Sequence, residues 1–145
     1  MAHDFKAYPE LTNRQMDIYY FDSPHKQITE EFEAKVVKVT DGDTIRVTTN
    51  FRDFSFPIRF LDEAAPELDE SGGVESQRWL ENEILGKNVT VEINQFNRVE
   101  KWGRLLGRIM FRGMDIAEES IGRGFGVRWK DRKSAGIPKL ELVEI

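Results

Sequence analysis

From Phe32 onward, apolar and polar residues alternate with a period of two. Val37 and Val39 oppose Lys38, and Ile45 and Val47 alternate with Arg46 and Thr48, the pattern of strands with one face in a core. Asp41-Gly42 turns the first run into the second. Residues 50–53 turn the second into a third, in which Ile58 and Phe60 face one way and Arg59 the other. Three strands joined by short turns make a meander. The period then becomes helical over residues 74–85, where Ser76, Trp79, Leu80 and Ile84 share a stripe and Gly86 supplies the stop. Residues 88–96 alternate again, and a fifth strand spans residues 104–111. Asp115 and Glu118 have the spacing of a capping box for a short helix, with Ile116, Ala117, Ser120 and Ile121 inward and Gly124 at its end. This order predicts a mainly β, α+β domain. It is a five-stranded OB-type barrel with a helix inserted before strand four and a short helix after strand five.

The barrel pattern covers residues 32–129. Residues 1–31 form an arm, with Phe5, Tyr8, Tyr19, Tyr20 and Phe21 scattered without a steady period and a helix expected over residues 12–20, capped by Thr12 or Asn13. The arm is too aromatic to be simply disordered. It either packs along the domain or docks on a protein partner or a second copy of the chain. Residues 130–145 form a C-terminal tail.

Composition narrows the function only a little. The 145 residues suffice for one core. Without cysteine there is no disulfide framework and no thiolate metal site. No apolar run is long enough to cross a membrane, and no basic and apolar leader opens the chain. The expectation is a cytoplasmic protein with no membrane partner. The net charge of −5 argues at first against nucleic acid. Its distribution says more: residues 98–133 hold ten Lys/Arg against five Asp/Glu, whereas residues 61–84 hold one Arg against eight Asp/Glu. One segment suits phosphates and the other suits cations.

Candidate chemistry centres on Asp41-Gly42-Asp43-Thr44. Alone this is a hairpin turn. Three downstream pieces are able to converge on the Asp43 carboxylate: Arg59, Pro66-Glu67 and Lys101-Trp102-Gly103-Arg104. Two guanidinium groups, a metal-type carboxylate and a carboxylate base are what phosphodiester cleavage requires. Arginine offers planar paired donors to phosphate oxygens, and a hard cation held by oxygens neutralises the phosphate and acidifies a water.

These residues, in collinear order with the Gly124-Phe125-Gly126 ending, resemble the staphylococcal nuclease (thermonuclease) family across about residues 35–129. The resemblance implies a calcium-dependent nuclease acting on DNA or RNA, with another divalent cation as an alternative. Asp43 would be a metal ligand and Glu67 would hold or deprotonate the attacking water. Arg59 and Arg104 would grip the phosphate. Lys101 and Trp102 would lie near a neighbouring phosphate and sugar. Trp129 either closes the barrel or offers a stacking face beside Lys130. The family more often has Tyr at the Trp102 position and often Asn at the Ala117 position, and the one serious departure is that its second metal carboxylate falls on Ala64. Three readings stay open. Glu63 or Asp62 reaches in, or backbone carbonyls such as that of Ala65 suffice with waters, or the metal site is lost. The rivals to a nuclease are accordingly a nucleic-acid- or protein-binding module on the same barrel, and an assembly component acting through residues 1–31.

Overall fold

A computed structural model of the chain describes residues 3–100 and 103–132. Lys101, Trp102 and most of the C-terminal tail lie outside the described residues. The first helix, α1 (Asn13–Tyr19), is capped by Thr12, whose hydroxyl accepts from the Gln15 amide while the Gln15 side chain accepts from the Thr12 amide. Strands β1 (Phe32–Asp41), β2 (Thr44–Thr49) and β3 (Arg52–Phe60) form the antiparallel meander. A two-residue strand, β4 (Glu63–Ala64), precedes helix α2 (Gly73–Ile84). Strands β5 (Asn88–Glu92) and β6 (Leu105–Phe111) follow, then a short β7 (Met114–Asp115), helix α3 (Ile116–Gly122) and a two-residue β8 (Val127–Arg128).

Strands β1, β2, β3, β5 and β6 close into a five-stranded OB-type barrel. β1 pairs with β5, β5 with β6, and β6 returns parallel to β3 through Ile58 opposite Leu105 and Phe60 opposite Gly107. Closure leaves these strands no long free edge. The interior holds Val36, Val39, Ile45, Val47, Phe56, Ile58, Phe60, Val89, Val91, Leu105 and Ile109, with Leu80 and Ile84 of α2 and Ile116 of α3 closing its ends. Trp79 is core-packed as its place on the α2 stripe predicts, and it stacks on Phe125 with ring centroids 5.5 Å apart. Asp115 caps α3 by accepting from the Ala117 and Glu118 amides. Among the described residues, no helix is long and apolar enough to cross a membrane.

One strand departs from simple alternation. Val37 is 43% exposed, while Val36 and Val39 are buried. The β1–β2 register shifts between Val36 and Lys38, so a β-bulge inserts one residue and moves the inward positions from 34 and 36 to 39. The bulge also redirects the strand end that carries Asp41.

The arm lies along the barrel. Leu11 and Ile28 are buried with it, and the buried Glu10 carboxylate bridges Arg52 of β3 and Arg98 of the β5–β6 loop.

Candidate active site

The β1–β2 hairpin presents Asp41 and Asp43 at one end of the barrel. Strand pairing sets Thr44 opposite Arg59, and the Phe60 amide donates to the Asp43 carbonyl at 2.8 Å. Register alone therefore brings the Arg59 side chain to Asp43, two strands apart in sequence but neighbours in the sheet. Gly42 lets the turn sit under α2: a β-carbon there would lie 2.0 Å from the Ser76 hydroxyl oxygen and 2.8 Å from the Ala65 β-carbon. That close approach fixes the acidic loop against the turn.

Asp43 is 7% exposed. Its Oδ1 accepts from the Thr44 hydroxyl at 3.0 Å, and its Oδ2 accepts from the Ala65 amide at 2.9 Å and from Arg59 Nη2 at 3.5 Å. Asp41 accepts from the Asp43 amide at 3.1 Å. Burial, reinforced by the neighbouring Asp43 and then Glu67, pushes Asp41 up to about 8. Two carboxylates so close and so poorly hydrated cannot both carry a bare charge at low cost. Glu67 stands half-buried in the loop that follows, near enough to Asp41 for its charge to be felt.

The guanidinium groups converge from the other side. Arg59 is 9% exposed; its Nη1 donates to the Phe60 carbonyl at 3.1 Å, and its Cζ lies 4.5 Å from the Trp129 ring centroid. Arg104 reaches Glu100 with Nε and, at 3.2 Å, with Nη2. Arg59 Nε lies 4.0 Å from Glu100 Oε2, the oxygen that also accepts from Arg104 Nη2. Burial would lower the Arg104 pKa, but Glu100, Asp43 and Asp41 together raise it. Trp129 is delivered by the β4–β8 pairing, with its amide donating to the Asp62 carbonyl at 2.9 Å. Lys130 follows it, exposed in a 3-10 turn.

The structure therefore gathers Asp43, Arg59, Trp129 and, through Glu100, Arg104. It adds Glu100, which the sequence reading did not select, and Asp41, which that reading held only as part of the turn. The signal for Asp41 was its spacing, two residues from Asp43 across a glycine. Asp62 is turned outward in an ion pair with Arg128 at 3.3 Å and is not brought to Asp43. Glu63 is fully buried; its Oε2 accepts from the Ser120 hydroxyl, and its Oε1 has no partner. Burial is the main cause that pushes Glu63 up to about 9, with the Asp43 and Asp115 charges adding to it and Arg59 opposing. Ala64 is buried and contributes no oxygen from its side chain.

Whether a cation fits can be judged from the donors. Once ionised, Asp41 and Asp43 supply hard, acceptor-only oxygens, and a divalent ion would relieve the unfavourable charging of Asp41 that burial and its neighbour Asp43 cause. Among the described residues, no three histidine, cysteine or carboxylate side chains form a ready-made cage. A bound ion would accordingly rest on these two carboxylates with backbone oxygens and water completing its shell.

The neutral Glu63 makes stability depend on pH. An acid whose folded pKa is raised holds its proton more tightly in the folded state, so its contribution is complete below about 4.5 and is lost progressively as pH rises towards about 9. Glu63→Gln keeps an acceptor for Ser120 and cannot ionise. Its melting temperature is expected to exceed that of the unsubstituted chain by more at pH 8 than at pH 5, measured by thermal denaturation at both.

No protein-family model matches the chain. Proteins named "uncharacterized endonuclease" from Escherichia coli and Escherichia coli O157:H7 are each 34% identical over 95 residues, covering 65% of this chain and 59% of theirs. An uncharacterized protein of Bacillus anthracis is 29% identical over 104 residues, 68% of this chain and 48% of that protein. The chain thus spans about half to three fifths of the length of these relatives.

Proposed function

We propose that this chain is a metal-dependent nuclease that cleaves DNA or RNA by in-line attack of water on phosphorus. The observation that carries the reading is the buried Asp43 carboxylate held beside Asp41 and within 3.5 Å of Arg59, with Arg104 close by. The endonuclease names of two relatives and the resemblance to the staphylococcal nuclease family support it.

Asp41 and Asp43 would hold the cation, calcium in the first instance. When bound, it supplies charge that neutralises the phosphate and acidifies a water. Glu67 accepts the proton of the attacking water and orients it opposite the leaving oxygen. A bond forms from the water oxygen to phosphorus while the bond to the leaving ribose or deoxyribose oxygen breaks; that oxygen takes up a proton from solvent, and Glu67 returns its own to solvent. Arg59 and Arg104 donate to the non-bridging oxygens, whose charge grows in the transition state. For this they release or share Glu100. Trp129 and Lys130 flank the site on the side of a neighbouring nucleotide, the position also proposed for Lys101 and Trp102.

The second reading is a binding module with no catalysis. It is favoured by Ala64 at a ligand position and by the engagement of Glu63 with Ser120. Degradation of plasmid DNA and of RNA, with calcium, magnesium or manganese and with chelator, separates the two. A nuclease cleaves with at least one cation and stops with chelator. Activity that survives chelator, or survives Glu67→Ala unchanged, contradicts the mechanism. Binding without cleavage under every cation supports the module.

A further inference from the structure

The loop between β5 and β6, which carries Glu100 and leads into Arg104, is tied to β6 by the Leu106 amide donating to the Arg98 carbonyl at 2.8 Å and by a Val99–Leu105 bridge, and it is held from outside the barrel as well. Arg98 near its middle is 3% exposed. Its guanidinium donates to the carbonyls of Ile28 at 2.7 Å and Leu11 at 2.9 Å, to the Asn13 side chain at 3.2 Å and to the Glu10 carboxylate at 3.1 Å. Asn13 in turn donates to the Gln95 carbonyl at 2.9 Å. Near the loop's far end Gly103 has φ +89°, and a β-carbon there would lie 2.7 Å from Tyr8 Cδ1. The Tyr8 ring is thus in direct contact with the backbone one residue before Arg104. Every one of these outside contacts except Gly103 and the loop's own residues belongs to the arm.

We propose that the arm is a positioning element of the site, and that Tyr8 and Arg98 hold the loop so that Glu100 presents Arg104 beside Arg59. The inference rests on the nuclease reading given above. Its physical basis is the exposure of Arg104, whose side chain is 38% exposed and is held through Glu100 rather than through core packing. A long side chain on a free loop samples many rotamers, and a functional group on a loop is placed only as well as its supports allow. Within the loop, the Glu100 amide donates to the Arg104 carbonyl at 3.0 Å and the Gly103 amide to the Glu100 carbonyl at 2.9 Å. These bonds keep Glu100 facing Arg104 only while the loop holds its shape. Arg98 anchors it ahead of Glu100, and Tyr8 anchors it just before Arg104. Neither residue touches a reacting atom.

The test uses the full chain with Tyr8→Ala and Tyr8→Phe, each alone and combined with Arg104→Ala. Tyr8 is 47% exposed, so its truncation leaves the barrel interior intact. Tyr8→Ala is expected to melt close to the unsubstituted chain and to cleave ~10- to 100-fold more slowly, the scale of a misplaced catalytic group. Tyr8→Phe restores the rate, because ring carbons make the contact with Gly103. In the Arg104→Ala background Tyr8→Ala brings no further loss, since the residue it positions is gone. Amide hydrogen exchange at Gly103 and Leu106 speeds up in Tyr8→Ala and not in Tyr8→Phe. An equal loss of rate with or without Arg104, or unchanged exchange in Tyr8→Ala, overturns the proposal. Exchange needs no catalysis: a chain that cleaves nothing with any cation sinks the nuclease reading, and the exchange comparison still decides whether the arm holds the loop.

Discussion

Arg59→Lys is expected to slow cleavage by on the order of a hundredfold or more, the usual cost of removing one preorganised donor from a developing anion. The substitution keeps the positive charge, so the loss isolates geometry. Arg59 uses its whole fork: Nη1 to the Phe60 carbonyl at 3.1 Å, Nη2 to Asp43 at 3.5 Å, and Nε turned towards Glu100 at 4.0 Å. Its face also covers the Trp129 ring at 4.5 Å. Lysine has a single compact head and cannot hold the strand carbonyl while offering paired donors to a phosphate. The check is kcat/KM on a defined oligonucleotide, with a thermal melt to show that the barrel persists. A lysine variant that cleaves at the original rate would mean that Arg59 serves only the structural pair with Asp43.

The second large effect concerns stability. Glu10→Ala is expected to destabilise the fold by ~3–5 kcal/mol, the cost of leaving buried charge without its partner. The Glu10 carboxylate is 2% exposed, accepts from the Ile28 amide at 2.8 Å, and bridges Arg98 at 3.1 Å and Arg52. Arg52 already has two buried nitrogens, Nε and Nη1, without hydrogen-bond partners, and leans on the Phe56 ring at 4.6 Å. Removing Glu10 leaves both buried guanidinium charges without their carboxylate, with only neutral acceptors such as the Ile28, Leu11 and Lys26 carbonyls remaining. Chemical denaturation of the variant measures the loss, and Glu10→Gln, which keeps an acceptor for Ile28, is expected to fall between the two. A loss below about 1 kcal/mol, the worth of an exposed pair, would show that this network is not buried in solution.

The barrel was legible because its strands alternate where one face is wet and one is dry. Ile45, Val47, Ile58, Phe60, Val89 and Val91 all went inside, as their spacing predicts. The caps at Thr12 and Asp115 were legible for a local reason: both ends of each hydrogen bond lie within three residues. Val37 was misassigned because a bulge is decided by the neighbouring strand, which the local pattern does not contain. The same limit governs the site. Asp43 and Arg59 were legible because their register follows from a short meander. Glu100 was hidden because its role depends on two arginines that meet only when β3 and β6 pair side by side. Nothing in the sequence singles out Glu10 or Arg52, and Arg98 counts there with the basic segment that suits phosphates; only the arm's path over the barrel buries all three. Glu63 and Asp62 are adjacent acidic residues with opposite fates, since consecutive residues of an extended segment face opposite ways.

The most direct measurement is a calorimetric titration of the unsubstituted chain and of Asp43→Asn with calcium, magnesium and manganese, with and without a non-cleavable oligonucleotide. The account predicts one cation site in the unsubstituted chain, tightened by the oligonucleotide and lost in Asp43→Asn. Equal cation binding by both proteins, or none by either when nucleic acid is bound, would contradict it.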